Sequence, residues 1–335
     1  MENRFQLVDA HGRTIRDLRI SVTDRCNFRC FYCLPNGEPP LARKETILTF
    51  EEIVRVSGIF TKLGIEKIRL TGGEPMLRRG IVDLVSELSK LKPNGLKDLA
   101  LTTNGFKIPE LAKTLKSSGL DRITLSLDSL SEDGFEKITG VRKLSEVIAS
   151  IDAAKSAGLD PIKVNAVVVR GWNEHEVADL AEFAIKNDVS MRFIEFMPLD
   201  SGHEWNREMV VSAAEIRQAI EKRFELELMQ AKRGSETAWN YRFRGFETGS
   251  IGIIAPVTEA FCGACSRIRL TADGQIRTCL FSTVEHDLRE VIRGTDDDRE
   301  VIEFIRGVAK LKEKSHGINE ADFRKPDRTM SFIGG

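Results

Sequence analysis

Three features predict an α/β fold with a parallel sheet. Short apolar runs alternate with helical patterns, capping residues and glycines punctuate them, and 335 residues are enough for one large domain plus an extension. Asp17–Val22 reads as the first strand. Thr49 opens a helix with Glu52 completing a capping box, and Gly64 marks its end. Lys67–Thr71 is a strand, Ile81–Leu91 a helix and Leu99–Thr102 a strand. Pro109 suits a first helical turn that closes at Gly119. Ile123–Leu127 is a strand, followed by a helix over Leu144–Ala157 that stops at Gly158. Ile162–Val169 is the next strand, Asn173 with Glu176 caps a helix, and Met191–Phe196 is the sixth strand. Strands separated by helices imply right-handed crossovers. Periodicity alone leaves a partial barrel and a doubly wound sheet open.

Beyond the helix capped by Ser212 and Glu215, the pattern changes. Residues 226–283 read as short strands and turns, with Asp273-Gly274 as a hairpin signal. Asp298–Lys314 is a helix, and Asp296-Asp297-Asp298 complements its dipole. The last twenty residues are polar and irregular, and both terminal segments read as loosely structured. The expected division is 1–225 for the barrel and 226–335 for the C-terminal region and tail.

Fifty basic residues face fifty-one acidic ones, a net charge of −1. No global field points to nucleic acid or an anionic membrane, and no apolar run reaches spanning length. The expectation is a cytoplasmic protein with no nucleic-acid or membrane partner.

All six cysteines fall into two triads: Cys26, Cys30 and Cys33 as C-x3-C-x2-C, and Cys262, Cys265 and Cys279 as C-x2-C-x13-C. Three cysteines leave one iron of a cubane cluster without a protein ligand, free to bind a small molecule. Two alternatives stand beside that reading. A zinc site would need a histidine as fourth ligand, and His11, His175, His203, His286 and His316 do not lie at ligand spacing from either triad. Disulfides would need an oxidising compartment, and no secretory signal pattern opens the chain. The first triad follows strand one and Gly72-Gly73-Glu74-Pro75 follows strand two, so both land on the C-terminal rim of the sheet.

The run Cys26-Asn27-Phe28-Arg29-Cys30-Phe31-Tyr32-Cys33, followed by Gly72-Gly73-Glu74-Pro75, resembles the radical S-adenosylmethionine (SAM) superfamily. In such a site the two glycines are expected to let the backbone approach the methionine moiety of SAM. The second triad with Ser266-Arg267-Ile268-Arg269-Leu270 resembles the GTP 3′,8-cyclases of molybdenum-cofactor biosynthesis. So do Asp17–Arg25, Thr102-Thr103-Asn104-Gly105, Ser126-Leu127-Asp128-Ser129, Lys163-Val164-Asn165, Phe193–Pro198 and the terminal Gly-Gly.

That resemblance implies an incomplete (βα)6 partial barrel with a C-terminal extension of short strands and helices carrying a second cluster. It implies two [4Fe-4S] clusters, with SAM held by Tyr32, Gly73, Ser126 and Met197. GTP would be held by Arg19, Arg69, Thr102, Lys163, Arg267 and Arg269, and Arg192 beside the sixth strand is a further candidate. A triphosphate carries about four negative charges, which a barrel mouth lined with guanidinium groups can neutralise. Strand alternation puts Arg267 and Arg269 on one face. The tail, with Gly334 and Gly335, would insert into the cavity and either position Arg267 or its neighbours or shield the radical. The implied partners are an electron donor, the downstream cyclic pyranopterin monophosphate synthase and a second copy in a dimer. Two other classes share the cysteine pattern: a radical SAM enzyme acting on a peptide, and a non-enzymatic iron–sulfur or zinc binding protein. Trp172, Trp205 and Trp239 read as packing residues, and Glu51-Glu52 as capping.

Overall fold

The computed structural model describes residues 6–34, 41–199 and 205–334. Six strands form the central sheet: β1 (Asp17–Ser21), β2 (Lys67–Thr71), β3 (Asp98–Thr103), β4 (Arg122–Ser126), β5 (Lys163–Val168) and β6 (Ser190–Glu195). All are parallel and pair in chain order. The connecting helices are α1 (Phe50–Lys62), α2 (Ile81–Ser89), α3 (Ile108–Ser117), α4 (Glu132–Thr139), α5 (Leu144–Ser156) and α6 (Val177–Lys186). The Thr49–Glu52 capping box forms as its residue types predict. Helix α4 has no counterpart in the sequence pattern, because Gly134 interrupts it. The Ser131 side chain caps it by accepting from the Gly134 N–H at 3.1 Å.

The C-terminal region extends this sheet at both edges. After α7 (Ala213–Glu221) come β7 (Leu226–Leu228), β8 (Trp239–Phe243), β9 (Ser250–Ile254), β10 (Arg267–Leu270), β11 (Gln275–Arg277) and β12 (His286–Asp287). β9 pairs parallel with β6, and β10 pairs parallel with β1. The parallel core therefore has eight strands, two more than the six βα units predict. The partners of two such short runs cannot be read from local pattern. The antiparallel strands β7–β8 and β11–β12 lie outside them, and β10–β11 is the hairpin signalled by Asp273-Gly274. The expected boundary at 225/226 follows the chain, whereas the sheet runs across it.

Period-two alternation sorts the strands into two faces. Leu18, Ile20, Ile68, Leu70, Leu99 and Leu101 belong to the buried apolar core. Their neighbours on the opposite face are charged or polar: Arg19, Arg69, Thr102, Thr124, Asn165 and Arg192 line one cavity. The layer of α8 (Leu288–Gly294) and α9 (Asp298–Lys310) packs near α1, where Arg55 of α1 reaches Asp298.

Glu195, at the end of β6, is fully buried. Its carboxylate accepts from the backbone N–H groups of Ala213 (2.9 Å), Val257 (2.8 Å) and Thr258 (3.0 Å), and from the Thr258 hydroxyl. It joins β6 to α7 and to the segment after β9. Replacing Glu195 by alanine strands the two buried donors of Ala213 and Val257 at about 1–3 kcal/mol each. The expected loss is at least about 2 kcal/mol, read as a lower denaturant midpoint.

Candidate active site

Strand pairing places the two triads at opposite ends of the same strands. Cys26, Cys30 and Cys33 follow the C-terminal end of β1, while Cys262 and Cys265 precede the N-terminal end of β10, which pairs with β1 from Asp17↔Arg267 onward. Cys279 follows β11, which runs back toward that same end. One strand length lies between them, on the order of 15 Å at about 3.3 Å per residue.

Around the first triad, the motifs of the sequence form one network. The Gly73 N–H donates to Thr23 O at 2.8 Å and the Glu74 N–H to Arg25 O at 2.7 Å, so the strand-two motif continues the pairing along the cysteine loop. A side chain at Gly73 would put its Cβ 2.4 Å from Arg25 O. At Gly72, which has a φ of +146°, a Cβ would lie 2.4 Å from Thr23 O. These glycines are needed where backbone packs on backbone. Glu74 is buried, and its carboxylate accepts from the Thr103 hydroxyl (2.7 Å) and the Asn104 N–H (2.7 Å). Burial pushes its pKa up to about 6 against these hydrogen bonds. Asn104 in turn donates to the Asn27 side chain at 2.8 Å.

The Tyr32 hydroxyl donates to Asp128 at 2.6 Å, and the other Asp128 oxygen accepts from the Val167 N–H at 2.7 Å. Ser126, two residues before Asp128, ends β4. Trp172 stacks on Phe31, with ring centroids 3.7 Å apart. Asn173 sits at the N-cap of the short 3-10 turn Glu174–Glu176, but its side chain makes no capping bond. Its amide holds Asp128 O at 2.8 Å and Val167 O at 2.9 Å, and its carbonyl accepts from Val169 N–H.

Burial pushes the Cys26 thiol up to about 11 and the Cys33 thiol up to about 12, and raises Cys30. After burial, the charges of Asp128, Cys33 and Cys26 add to the rise at Cys30. Buried thiols that would repel one another as thiolates suit a cationic cluster core, which restores their balance. The second triad differs. Burial raises Cys262 and Cys279, but Cys265 is held below the usual thiol value because Arg267 and Lys312 outweigh its burial. His316, which sequence spacing excludes, lines the cavity beside all three of these cysteines. Nearness in space here comes from a loop return that spacing cannot register. Among the described residues, no three His, Cys, Asp or Glu side chains gather closely enough to hold a single ion, as a structural zinc site requires.

The predicted nucleotide residues share the inner wall. Arg19, Arg69, Thr102, Arg192, Arg267 and Arg269 line the cavity that reaches the second triad. Lys163 lines its continuation toward the N-terminal ends of the strands, together with Lys67, Asp98, Arg122 and Glu236. The arginines stand along the strands, inside the wall and below the mouth where they were expected. Arg269, Arg19 and Arg69 are direct cross-strand neighbours. Arg69 donates to the hydroxyls of Thr102 (3.0 Å) and Thr124 (2.9 Å). Burial, then Arg267, pushes Arg19 down to about 10. Burial, then Arg122, pushes Arg192 down to about 10. Arg69 and Arg269 are lowered further, by burial and by the guanidinium groups beside them. Burial, then Arg192, Arg122 and Arg69, pushes Lys163 down to about 7. This is a wall of like charge in low dielectric, which a polyanion would relieve.

The tail is ordered, contrary to its irregular sequence. Ser331, Phe332 and Ile333 lie in a short helix, α10 (Met330–Ile333), and are buried. The Ser331 backbone lies near enough to Cys33 to oppose the burial that raises its thiol, and Gly334 O accepts from Arg269. Arg267 is held elsewhere, over the Phe261 ring and donating to Ser235 O at 3.3 Å. Gly334 has a φ of +82°, and a Cβ there would lie 2.4 Å from Thr71 Oγ1. Gly335 lies outside the described residues. Arg328 clamps the tail through Asp273 (2.9 Å) and Glu285 (2.8 Å). Sequence reasoning missed Arg328. It also missed Arg13, whose guanidinium donates to Cys262 O and Lys314 O at 2.9 Å each, and Lys312. No local pattern marks any of the three.

Residues 20–184 match the radical SAM superfamily, and residues 189–318 match the family described as Molybdenum Cofactor Synthesis C. The fold resembles that of Streptococcus suis SuiB, with a TM-score of 0.62 at 15% identity over 86% of this chain and 66% of that one. It also resembles anSMEcpe solved with bound AdoMet, with a TM-score of 0.53 at 14% identity, covering 86% of this chain and 82% of that one. The fold and the first cysteine loop are thus those of a radical SAM enzyme. The GTP 3′,8-cyclase of Streptomyces coelicolor is 44% identical, covering 100% of this chain and 98% of its own length. That of Rhodopirellula baltica is 44% identical over 100% and 94%. The chain belongs to the GTP 3′,8-cyclase family.

Replacing Gly334 by alanine sets a methyl group against Thr71 in a conformation that favours glycine. The expected outcome is release of the tail, read as faster proteolytic cleavage after residue 320 with the melting temperature of the sheet kept.

Proposed function

We propose that this radical SAM cyclase carries out its reaction along the inner wall between the two triads. The reaction converts GTP to (8S)-3′,8-cyclo-7,8-dihydroguanosine 5′-triphosphate, the first step of molybdenum-cofactor synthesis. The observation that supports this placement is the continuous cavity in which Arg19, Arg69, Arg192, Arg267 and Arg269 face the second triad, with the first triad at the other end of the same strands. Residues 1–225 would form the SAM half and 226–335 the substrate half.

The first triad would hold one [4Fe-4S] cluster, with SAM among Tyr32, Gly73, Ser126 and Met197. When bound, cluster and SAM would, with one donated electron, supply a 5′-deoxyadenosyl radical able to take hydrogen from C3′ of the ribose; joining C3′ to C8 of guanine would then need a further electron and a proton. The second triad would hold another cluster that takes the guanine end. Arg19, Arg69, Lys163, Arg192, Arg267 and Arg269 would neutralise the triphosphate and fix its register, and Thr102 would act with Arg69, to which it is already bonded. Anchoring both ends of the nucleotide keeps C3′ and C8 close and lowers the entropic cost of their joining. The tail, bonded to Arg269, would exclude water from the radical. An electron donor is required, and the product would pass to the cyclic pyranopterin monophosphate synthase. A cytoplasmic homodimer is the working form. Among the described residues no helix is long and apolar enough to cross a membrane.

The direct test is anaerobic incubation with GTP, SAM and dithionite, followed by mass analysis of the nucleotide. Cys30→Ala is expected to abolish 5′-deoxyadenosine formation. Cys265→Ala is expected to retain uncoupled SAM cleavage while yielding no cyclised nucleotide. Full cyclisation by the Cys265 variant would remove the second triad from the substrate's path. Arg267→Ala and Arg269→Ala are expected to weaken GTP binding roughly ten- to hundredfold, about 1.5–3 kcal/mol for a charge-assisted contact.

Lys163 gives a pH test. Its free-state pKa of about 7 would rise once a triphosphate lies beside it. Below 7 the ammonium is present before binding, so the lysine contributes fully. Above 7 a proton must be taken up, and affinity falls by up to about tenfold per unit until the bound-state pKa is reached. Calorimetry in buffers of different ionisation enthalpy should detect proton uptake near pH 8, and Lys163→Met should abolish it.

A further inference from the structure

Lys312 lies just beyond α9 and is 4% exposed. Its ammonium donates to Arg267 O at 2.9 Å and to Thr278 O. Arg267 is two residues after Cys265, and Thr278 immediately precedes Cys279. One side chain thus ties together the two chain segments that carry the second triad. Its hydrogen-bond acceptors are carbonyls, neither of them a carboxylate. A buried ammonium needs a counter-charge as well as dipoles. The groups lining its cavity that become anionic once they hold a cluster are the sulfurs of Cys262, Cys265 and Cys279. Glu313 is engaged with the Thr278 hydroxyl at 2.7 Å.

We infer that Lys312 is a positioning residue of the second triad, holding its two segments in register and supplying the cation that balances the thiolate-bound cluster. The inference rests on the proposed second cluster. The physical consequence concerns electrons. Reduction adds one negative charge to the cluster, and a fixed ammonium beside it favours the reduced form. Lys312 therefore makes this cluster easier to reduce than its three thiolates alone would. Dipoles from carbonyls point the wrong way for that purpose, so the charge and not the hydrogen bonding sets the sign.

The test uses the full-length protein with Cys26, Cys30 and Cys33 replaced by alanine, reconstituted anaerobically with iron and sulfide. Only the second triad can then hold a cluster. Iron and sulfide are counted, and the midpoint potential is followed by EPR in a dithionite titration. Lys312→Gln is expected to shift the midpoint to more negative potential and to speed iron loss to a chelator. Lys312→Arg, which keeps the charge, is expected to remain near the parent in potential. An unchanged potential in the glutamine variant with its iron retained overturns the inference, as does an arginine variant shifted as far as the glutamine one. If the glutamine variant does not fold, the parent labelled with 15N-lysine decides. A lysine nitrogen coupled to the reduced cluster in ENDOR supports the role, and no coupling overturns it. A parent that binds no iron at the second triad sinks the second-cluster reading itself, a result distinct from an unmoved potential.

Discussion

The parallel pairing of β1 with β10 is the constraint from which the site follows. It joins the start of the chain to its last third, and the Ser266 hydroxyl donates to Asp17, a residue 249 positions away. Three consequences come from that one ladder. Arg269 is set beside Arg19 and Arg69, so that guanidinium groups from distant segments form a single row. The loop after β1 and the loop before β10 are sent to opposite ends of the wall. The β10–β11 hairpin then returns Cys279 to the end that Cys262 and Cys265 already occupy. A one-residue slip in this register would turn the arginines into the apolar layer.

The row is costly to fold. Buried like charges lower one another's proton affinity, and few carboxylates stand among them: Asp98 is paired with Arg122, and Glu236 faces Lys163 and Arg192 from the far end. The stability for this comes from the opposite face, where leucine and isoleucine of every central strand pack under the helices. The wall is thereby preorganised for a polyanion. The ligand need not pull the cations together, because the sheet has done so already.

Much of this was legible in the sequence. Six central strands fall where apolar runs and glycine punctuation place them, and the boxes at Thr49–Glu52 and Ser212–Glu215 form as their residue types require. The two cysteine triads and the shared face of Arg267 and Arg269 were readable because thiol spacing and strand alternation are local, whereas Arg19 and Arg69 came from the family resemblance. Long-range pairing was not. Nothing in Ser250–Ile254 or Arg267–Leu270 announces which strand it will join. The order of the tail is invisible in its local pattern for the same reason, and only the family resemblance pointed to its insertion. Its polar residues are satisfied by partners far away in the chain, such as Asp273 and Glu285 for Arg328. Arg13 and Lys312 escaped because a cation that grips carbonyls of distant loops leaves no periodic trace.

The addition of β9 and β10 to both sides of the six-strand core bears on how the chain comes into being. During synthesis β1 and β6 emerge long before the strands that cover them, and an uncovered strand is a template for pairing with any other chain. The nascent protein passes through a stage with two open edges, which close only when residues 250–270 leave the ribosome. Contacts of such long sequence separation also form slowly. The radical SAM half is therefore no autonomous folding unit, and a chain cut near residue 225 would be aggregation-prone whatever its cysteine loop can bind.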